Sequence, residues 1–357
     1  MLEITRGDLL KADVDALVNT VNTVGVMGKG VALQFKNAFP ENYEAYRRAA
    51  KENTIELGRM FVFDIGKFTR PRFIINFPTK KHWKGRSRLE DIEAGLVDLV
   101  RVIRELDIKS IAVPPLGCGN GGLDWDDVRP RIEAALAPLK NVRILLYAPS
   151  GAPAASDMKV ATKRPRMTLG RAALLALLER YIEPGFGVSV VEIQKLLYFM
   201  QLAGESLHLN FAKGMYGPYA ENVNYVLQDM EGHYLRGYGD RSRKVAEWEP
   251  LELIPGAGDE ARDFLSSSPE TYERINRVVE LVEGFDSPYG LELLATVHWA
   301  ATHGDAGILV DADSAVKSVR TWSRRKERLF TERHIKLAWE RLTDQGWLQP
   351  KEVTSPA

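Results

Sequence analysis

Along the first 150 residues, short runs of β-branched and aromatic residues alternate with stretches whose apolar positions recur at steps of three and four. Ala16-Leu17-Val18, Met60-Phe61-Val62-Phe63, Phe73-Ile74-Ile75, Ile111-Ala112-Val113 and Val142 to Tyr147 predict buried strands. Leu89, Ile92, Leu96, Leu99, Ile103 and Leu106 line one face of a helix, with Ser87 and Glu90 as a capping box at its start. A further helix is predicted from about Asp127 to Ala137, with Val128, Ile132, Ala135 and Leu136 on one face. Strands interleaved with helices and closing on a buried strand predict a three-layer α/β/α domain.

Residues 149–167, PSGAPAASDMKVATKRPRM, are rich in small residues, proline and charge and show no apolar period, which reads as a linker. Beyond it the strand signal nearly vanishes. Ser189 to Glu192 forms a capping box opening a helix with Ile193, Leu196, Leu197 and Met200 inward, and helical periods recur through 269–284, 288–303 and 331–345. The expected division is therefore an α/β domain at 1–150, a linker at 151–167 and a mainly α domain at 168–357, with no internal repeat. A length of 357 residues agrees with two domains rather than one.

Charge and cysteine content narrow the function. The 48 basic and 48 acidic side chains cancel, which argues against a nucleic-acid binder held by bulk charge. The balance is uneven along the chain: residues 1–150 carry 23 basic against 19 acidic groups, and the remainder 25 against 29, so the two parts suit different partners. Cys118 is the single cysteine, so no disulfide forms within the chain and a reducing, cytoplasmic setting is expected. The six histidines make no HExxH, and no metal site is expected. The first residues lack a basic stretch followed by an apolar core, and the longest apolar run spans only Ala172 to Leu178, so neither secretion nor membrane spanning is expected.

Two segments carry candidate chemistry. In Val18-Asn19-Thr20-Val21-Asn22-Thr23-Val24-Gly25-Val26-Met27-Gly28-Lys29-Gly30-Val31, a buried strand delivers two asparagines and then a glycine-rich loop that opens a helix. Pro114-Pro115-Leu116-Gly117-Cys118-Gly119-Asn120-Gly121-Gly122 repeats this logic after the next predicted strand. Glycines let backbone approach a ligand, and a helix start offers free N–H groups to an anion, so two such loops suit a ligand with two phosphates. Neither is a common nucleotide fingerprint: Gly25 to Gly30 is followed by Val31 rather than a P-loop lysine, and the literal GxGxxG at 117–122 has no acidic residue about twenty positions on. No cofactor is implied. Lys80, Lys81, Lys84, Arg86 and Arg88 surround His82 and Trp83, a basic run with aromatics of the kind that holds phosphates and stacks a base.

Gly7-Asp8-Leu9, the VNTVN strand with its glycine-rich loop, and PPLGCGNGG together resemble the macrodomain family over about residues 1–150. The stretch Pro78-Thr79-Lys80-Lys81-His82-Trp83 resembles the branch holding the terminal ADP-ribose protein glycohydrolases and the DarG antitoxins. The resemblance implies an α/β/α fold that binds ADP-ribose through Asp8, Leu9, Asn19, Gly28, Lys29, Gly30, Val31, Leu116, Gly117, Cys118, Gly119, Asn120, Gly121 and Gly122. Asp8 would contact adenine, Asn22 the distal ribose, and Lys80 would act at or near C1″, either as a neutral amine attacking or as a fixed cation. Lys81, Trp83, Lys84 and Arg86 would touch DNA. One departure is evident: the protein glycohydrolases pair their lysine with an aspartate in the glycine loop, at the place of Gly121 here.

In the second half, Ile193-Gln194-Lys195-Leu196-Leu197-Tyr198-Phe199 and Lys213-Gly214-Met215-Tyr216-Gly217-Pro218-Tyr219 resemble the Panacea or SocA-like antitoxin domain. Joined to a macrodomain, this implies a DarG-type antitoxin. Its first domain would remove ADP-ribose from thymine in single-stranded DNA, and residues 168–357 would bind and block a DarT-type ADP-ribosyltransferase toxin. The alternatives are a non-hydrolytic ADP-ribose reader, a glycohydrolase acting on ADP-ribosylated protein, and a DNA-binding regulator built on Arg324-Arg325-Lys326 and the helix from Glu332. The acidic balance of that half weighs against the last.

Overall fold

The computed structural model describes residues 1–183, 186–242, 249–303 and 311–348. They pack as two compact units, one comprising Met1–Lys163 with Gly239–Glu247 and the other Arg164–Tyr238 with Trp248–Ala357. Among the described residues no helix is long and apolar enough to cross a membrane.

The first unit is a six-stranded mixed sheet with helices on both faces, as its alternating pattern predicts. In chain order its elements are β1 (Leu2–Thr5), β2 (Ala16–Asn22), α1 (Val31–Ala38), α2 (Pro40–Lys51), β3 (Phe61–Asp64), β4 (Phe73–Lys80), α3 (Leu89–Glu105), β5 (Ser110–Val113), α4 (Trp125–Leu136) and β6 (Arg143–Tyr147). The strand order is β1-β6-β5-β2-β4-β3, parallel except for β3, which runs antiparallel at one edge. All eight residues of β4 are buried, and so are all but one of β2. Near-continuous apolar runs belong in such central parallel strands, covered on both faces. Edge strand β1 is only half-buried, and no apolar run marks it in the sequence.

Helix α3 buries Ile92, Leu96, Leu99 and Ile103 of the predicted face against a core that includes Ile75, Phe77, Ile111 and Ile144, whereas Leu89 is partly buried and Leu106 is an exposed C-cap beyond the helix end. The expected capping box does not form. The N-cap is Arg88 without a side-chain cap, because Ser87 is buried and its N–H donates to the Gly121 carbonyl oxygen (3.0 Å). The helix opened by the first glycine-rich loop ends at Ala38, and Pro40 starts a separate helix, where its missing N–H costs nothing.

The segment expected as a linker holds a short helical turn, Ala155–Asp157, and Ala161 N–H donates to the Asn37 carbonyl oxygen (2.8 Å), so it packs on the first unit up to Lys163.

The second unit is mainly helical: α5 (Leu169–Tyr181), α6 (Val190–Leu202), α7 (Glu221–Met230), α8 (Ala257–Leu265), α9 (Pro269–Val282), α10 (Pro288–His303), α11 (Ala312–Trp322), α12 (Arg324–Leu329) and α13 (Glu332–Asp344). The Ser189–Glu192 capping box is present. Two short strand pairs interrupt the helices, a hairpin of β7 (Phe211–Gly214) and β8 (Gly217–Ala220) and the pair β9 (Leu235–Arg236) and β10 (Glu252–Leu253). The hairpin turns within the Lys213 to Tyr219 segment. Its backbone is fastened to α6, where the Gln194 amide exchanges hydrogen bonds with Ala220 N–H (2.9 Å) and carbonyl oxygen (3.0 Å) and Lys195 Nζ donates to the Pro218 carbonyl oxygen (2.7 Å). Lys326 is also wholly buried, donating to Glu292 Oε1 (2.6 Å) and Thr296 Oγ1 (2.8 Å), and Arg325 pairs with the same carboxylate. The basic stretch at 324–326 thus places two of its three charges on a buried glutamate.

Strand β4 owes its seat to a gap in α3. A Cβ on Gly95 would lie 2.2 Å from Phe77 Cζ. Gly95→Ala is expected to destabilise the first unit by about 1–3 kcal/mol despite the better helix propensity of alanine. Adding Phe77→Leu should recover part of the loss in chemical denaturation.

Candidate active site

Strands β2 and β4 run parallel in the register Asn19↔Asn76 and Asn22↔Lys80, so Asn22 and Lys80 end side by side at the carboxyl edge of the sheet. Loops following parallel strands at this edge are where α/β folds place ligands. Here the loop after β2 and the loop after β5 flank Lys80.

Lys80 is 9% exposed, and its Nζ donates to the Asn120 carbonyl oxygen (2.8 Å) in the second glycine-rich loop. Burial holds its pKa below the usual lysine range, and among the described residues no carboxylate raises it again. The first loop closes on the same point: a Cβ on Gly30 would lie 3.1 Å from Asn120 Nδ2, and Gly30 has φ +62°, which together confine this position to glycine. The amine is thus bonded to the second loop at Asn120, the residue against which the first loop packs.

The place where a carboxylate would be expected beside this lysine is closed. A Cβ on Gly121 would lie 2.3 Å from Ser87 Oγ and 2.4 Å from the Gly117 carbonyl oxygen. The Ser87 hydroxyl is buried there without a hydrogen-bond partner.

The other predicted residues divide by what their side chains already do. Asn22 holds the first loop: its Nδ2 donates to the Val26 carbonyl oxygen (2.6 Å) and its Oδ1 accepts from Val24 N–H (3.0 Å) and Val26 N–H (3.3 Å). Asn19 is wholly buried beneath the loop, where its Nδ2 donates to Asn76 Oδ1 (2.9 Å), and Asn76 Nδ2 donates on to Asn42 Oδ1 (2.7 Å). Asp8 caps the turn Leu9–Lys11 by accepting from Leu10 N–H (2.9 Å), and Leu9 and Leu116 lie in the core. Gly28, Lys29 and Val31 line the start of α1 with Lys29 exposed, and the Gly30 N–H donates to the Asp240 carbonyl oxygen (2.9 Å). In the second loop Gly117 and Gly121 are buried, whereas Gly119, Asn120 and Gly122 are exposed. Cys118 is half-buried, and burial with the nearby Asp124 carboxylate pushes its thiol up to about 11, so it stays protonated and packs.

Lys81, Trp83, Lys84 and Arg86 are all exposed on the segment from Lys80 to α3. Trp83 is 48% exposed, with Lys84 Nζ 4.9 Å from its ring centroid. Among the described residues no group of three or more His, Cys, Asp or Glu side chains is placed to hold a metal ion.

Sequence reasoning missed Tyr46, Asn76, Ser87, Gln34 and Asp240. Tyr46 is buried in α2 and its hydroxyl donates to the Asn22 carbonyl oxygen, clamping the end of β2. Asn76 had a signal, an amide inside the apolar run Phe73 to Phe77, since a buried polar group demands a partner.

The Macro domain family matches residues 18–132. A Thermus aquaticus protein named "DNA ADP-ribosyl glycohydrolase" is 49% identical over 99% of this chain and 96% of its own length. A Mycobacterium tuberculosis protein of the same name is 45% identical over 96% of this chain and 99% of its own. This chain belongs to the DarG DNA ADP-ribosyl glycohydrolase family. A Thermosipho africanus protein named "DNA ADP-ribosyl transferase-DNA ADP-ribosyl glycohydrolase fusion protein" is 34% identical over 42% of each chain. In this DarG-family chain the lysine of the PTKKHW stretch is the buried amine between the loops, and the glycine that departs from the protein glycohydrolases has no room for a side chain.

Gly121→Ala is expected to destabilise the first unit by about 1–3 kcal/mol, and Gly121→Asp by at least as much. Denaturation midpoints unchanged from the parent protein would show that the loop has space for a carboxylate.

Proposed function

We propose that this chain hydrolyses the N-glycosidic bond between ADP-ribose and thymine in single-stranded DNA, in the reducing setting of the cytoplasm. The observation that carries the reading is Lys80, a buried amine of lowered pKa seated where two glycine-rich loops meet. The backbone amides of Gly28, Lys29 and Val31 and of the 117–122 loop would receive the diphosphate, with Asp8 toward adenine. Asn22 would act on the distal ribose by shaping the loop beside Lys80. The C1″–N bond to the base breaks, water delivers hydroxyl to C1″, and a proton goes to the base nitrogen, giving free ADP-ribose and intact thymine. Positive charge develops at C1″ in an oxocarbenium-like transition state, so orientation of the ribose and diphosphate supplies much of the rate.

Lys80 has two roles open to it. As a neutral amine, favoured by its lowered pKa, it would attack C1″ as the bond to the base breaks, and water would then displace the amine from C1″ to give ADP-ribose and the free lysine. As an ammonium it would stabilise the departing base. A carboxylate-assisted route through the second loop is not part of this reading, because Gly121 leaves no space for one. A reader of ADP-ribose would need no buried lysine at this point. The exposed run Lys81, Trp83, Lys84 and Arg86 favours a nucleic-acid substrate over a protein, with Trp83 offering a face for a base and its cations meeting phosphates.

We assign the second unit to binding and blocking a DarT-type toxin, as a Panacea or SocA-like domain. Two features support this: the transferase and glycohydrolase joined in the Thermosipho africanus relative, and the two signature segments of this unit, Ile193 to Phe199 and Lys213 to Tyr219, fastened to each other by Lys195 on the Pro218 carbonyl oxygen and, just past the second segment, by Gln194 on Ala220. Its acidic balance suits a toxin surface built to receive DNA, with encounter steered by charge and weakened by salt.

Lys80→Ala is expected to slow release of ADP-ribose from a modified thymine oligonucleotide by about a hundredfold or more while calorimetry shows ADP-ribose affinity within a few fold of the parent. Lys80→Arg separates the roles: retained activity assigns an electrostatic part, and lost activity an attacking amine. Full activity in Lys80→Ala would remove this residue from the mechanism. The full-length Lys80→Ala protein should still suppress modification of the oligonucleotide by the cognate toxin. Unchanged toxin activity in its excess would separate this chain from toxin binding.

A further inference from the structure

The first unit contains a piece of chain that lies far from it in sequence. Gly239–Glu247, on the connection between β9 and β10, belongs to the unit that holds the glycine-rich loops. Asp240, 4% exposed, grips the corner between the first loop and α1 from two directions. Its carbonyl oxygen accepts the Gly30 N–H (2.9 Å), and its carboxylate Oδ2 accepts from Gln34 Nε2 (2.6 Å), one turn further along α1. The other carboxylate oxygen is set by Ser242, whose N–H (2.9 Å) and hydroxyl (2.6 Å) both donate to it. On the opposite side a Cβ on Gly239 would lie 3.5 Å from Ala155 Cβ, so the segment is seated against the turn at Ala155–Asp157 as well.

Gly30 is the N-cap of α1 and makes no side-chain cap, and its left-handed φ of +62° is a conformation glycine leaves readily when unfastened. Gly30 also sets the approach of the first loop to Asn120, whose carbonyl oxygen holds Lys80. A ligand binding to a loop already fixed in its bound shape loses less entropy than one that must order it.

We propose that Asp240 is a positioning residue for ADP-ribose. Through the Gly30 N–H and the Gln34 amide it fixes the first glycine-rich loop, leaving the amides of Gly28, Lys29 and Val31 to meet the diphosphate. The proposal rests on the reading of that loop as the ADP-ribose site.

The Gln34–Asp240 bond can be broken and then rebuilt with its polarity reversed. Gln34→Glu sets a carboxylate against the Asp240 carboxylate and removes the donor. Combined with Asp240→Asn, the new Asn amide donates to the new Glu carboxylate while its oxygen still accepts from Ser242. Calorimetry with ADP-ribose on the full-length proteins, alongside thermal melting, is the measurement. The expected result is about tenfold weaker binding by Gln34→Glu and recovery to within about threefold of the parent in the Gln34→Glu/Asp240→Asn pair. If the single variant fails to fold, the folded pair binding within that limit is the supporting result, and a folded pair that binds weakly overturns the proposal. Parent-like binding by Gln34→Glu, with or without a lowered melting temperature, reduces the contact to a structural one and overturns it. Tighter binding by that variant overturns it too, since the segment would then obstruct the loop. A parent protein that does not bind ADP-ribose overturns the reading of the site and this inference together.

Discussion

A buried lysine amine held by a backbone carbonyl oxygen is a costly arrangement, and the site is built around it. Lys80 leaves water at the end of a wholly buried strand and finds the Asn120 carbonyl oxygen, and among the described residues no carboxylate pairs with it. That bond ties β4 to the loop after β5, and the first loop reaches the same point through Gly30 and Asn120. The amine is poised by burial rather than by ion pairing, so its protonation answers to whatever enters between the loops. A diphosphate arriving there would favour the charged form, and a closed, dry ribose pocket the neutral one.

The fold was legible because central parallel strands must be apolar on both faces, and β2, β4, β5 and β6 carry that signature. The loops were legible because glycines cluster only where backbone must bend or approach closely. What spacing could not distinguish was the use of chemically identical side chains. Asn19 and Asn22 stand on the same strand, yet one gives its Nδ2 to an amide chain through Asn76 and Asn42 and the other is taken up by the loop that follows it. Ser87 and Glu90 have capping-box spacing, but the demand of the second loop for a close neighbour overrides it. Asp240 offers no local signal at all, since its partner Gln34 lies 206 positions away.

In the second unit, buried charge does structural work that composition misrepresents. Arg325 and Lys326 read as a basic surface stretch, but both meet Glu292, with Lys326 fully inside. Lys195 is pushed down to about 7 and Lys326 to about 8, chiefly by burial. Such groups are expensive in place of apolar residues and tie a hairpin and three helices to one geometry, which suits a unit whose task is to present a fixed surface. His298, held near 4 by burial, stays neutral between Tyr198 and the Trp347 carbonyl oxygen.

The return of Gly239–Glu247 to the first unit bears on how the protein is made. The sheet is complete once β6 ends at Tyr147, so its strands can pair while the rest of the chain is still being synthesised. The Gly30 N–H, however, waits for a carbonyl group that leaves the ribosome about ninety residues later, at the customary few residues per second. A nascent chain therefore passes through a stage with its sheet folded and one glycine loop unfastened, and translation of the helical half is what ends it. A premature stop between Tyr147 and Asp240 leaves a product with the whole sheet and an unfinished loop.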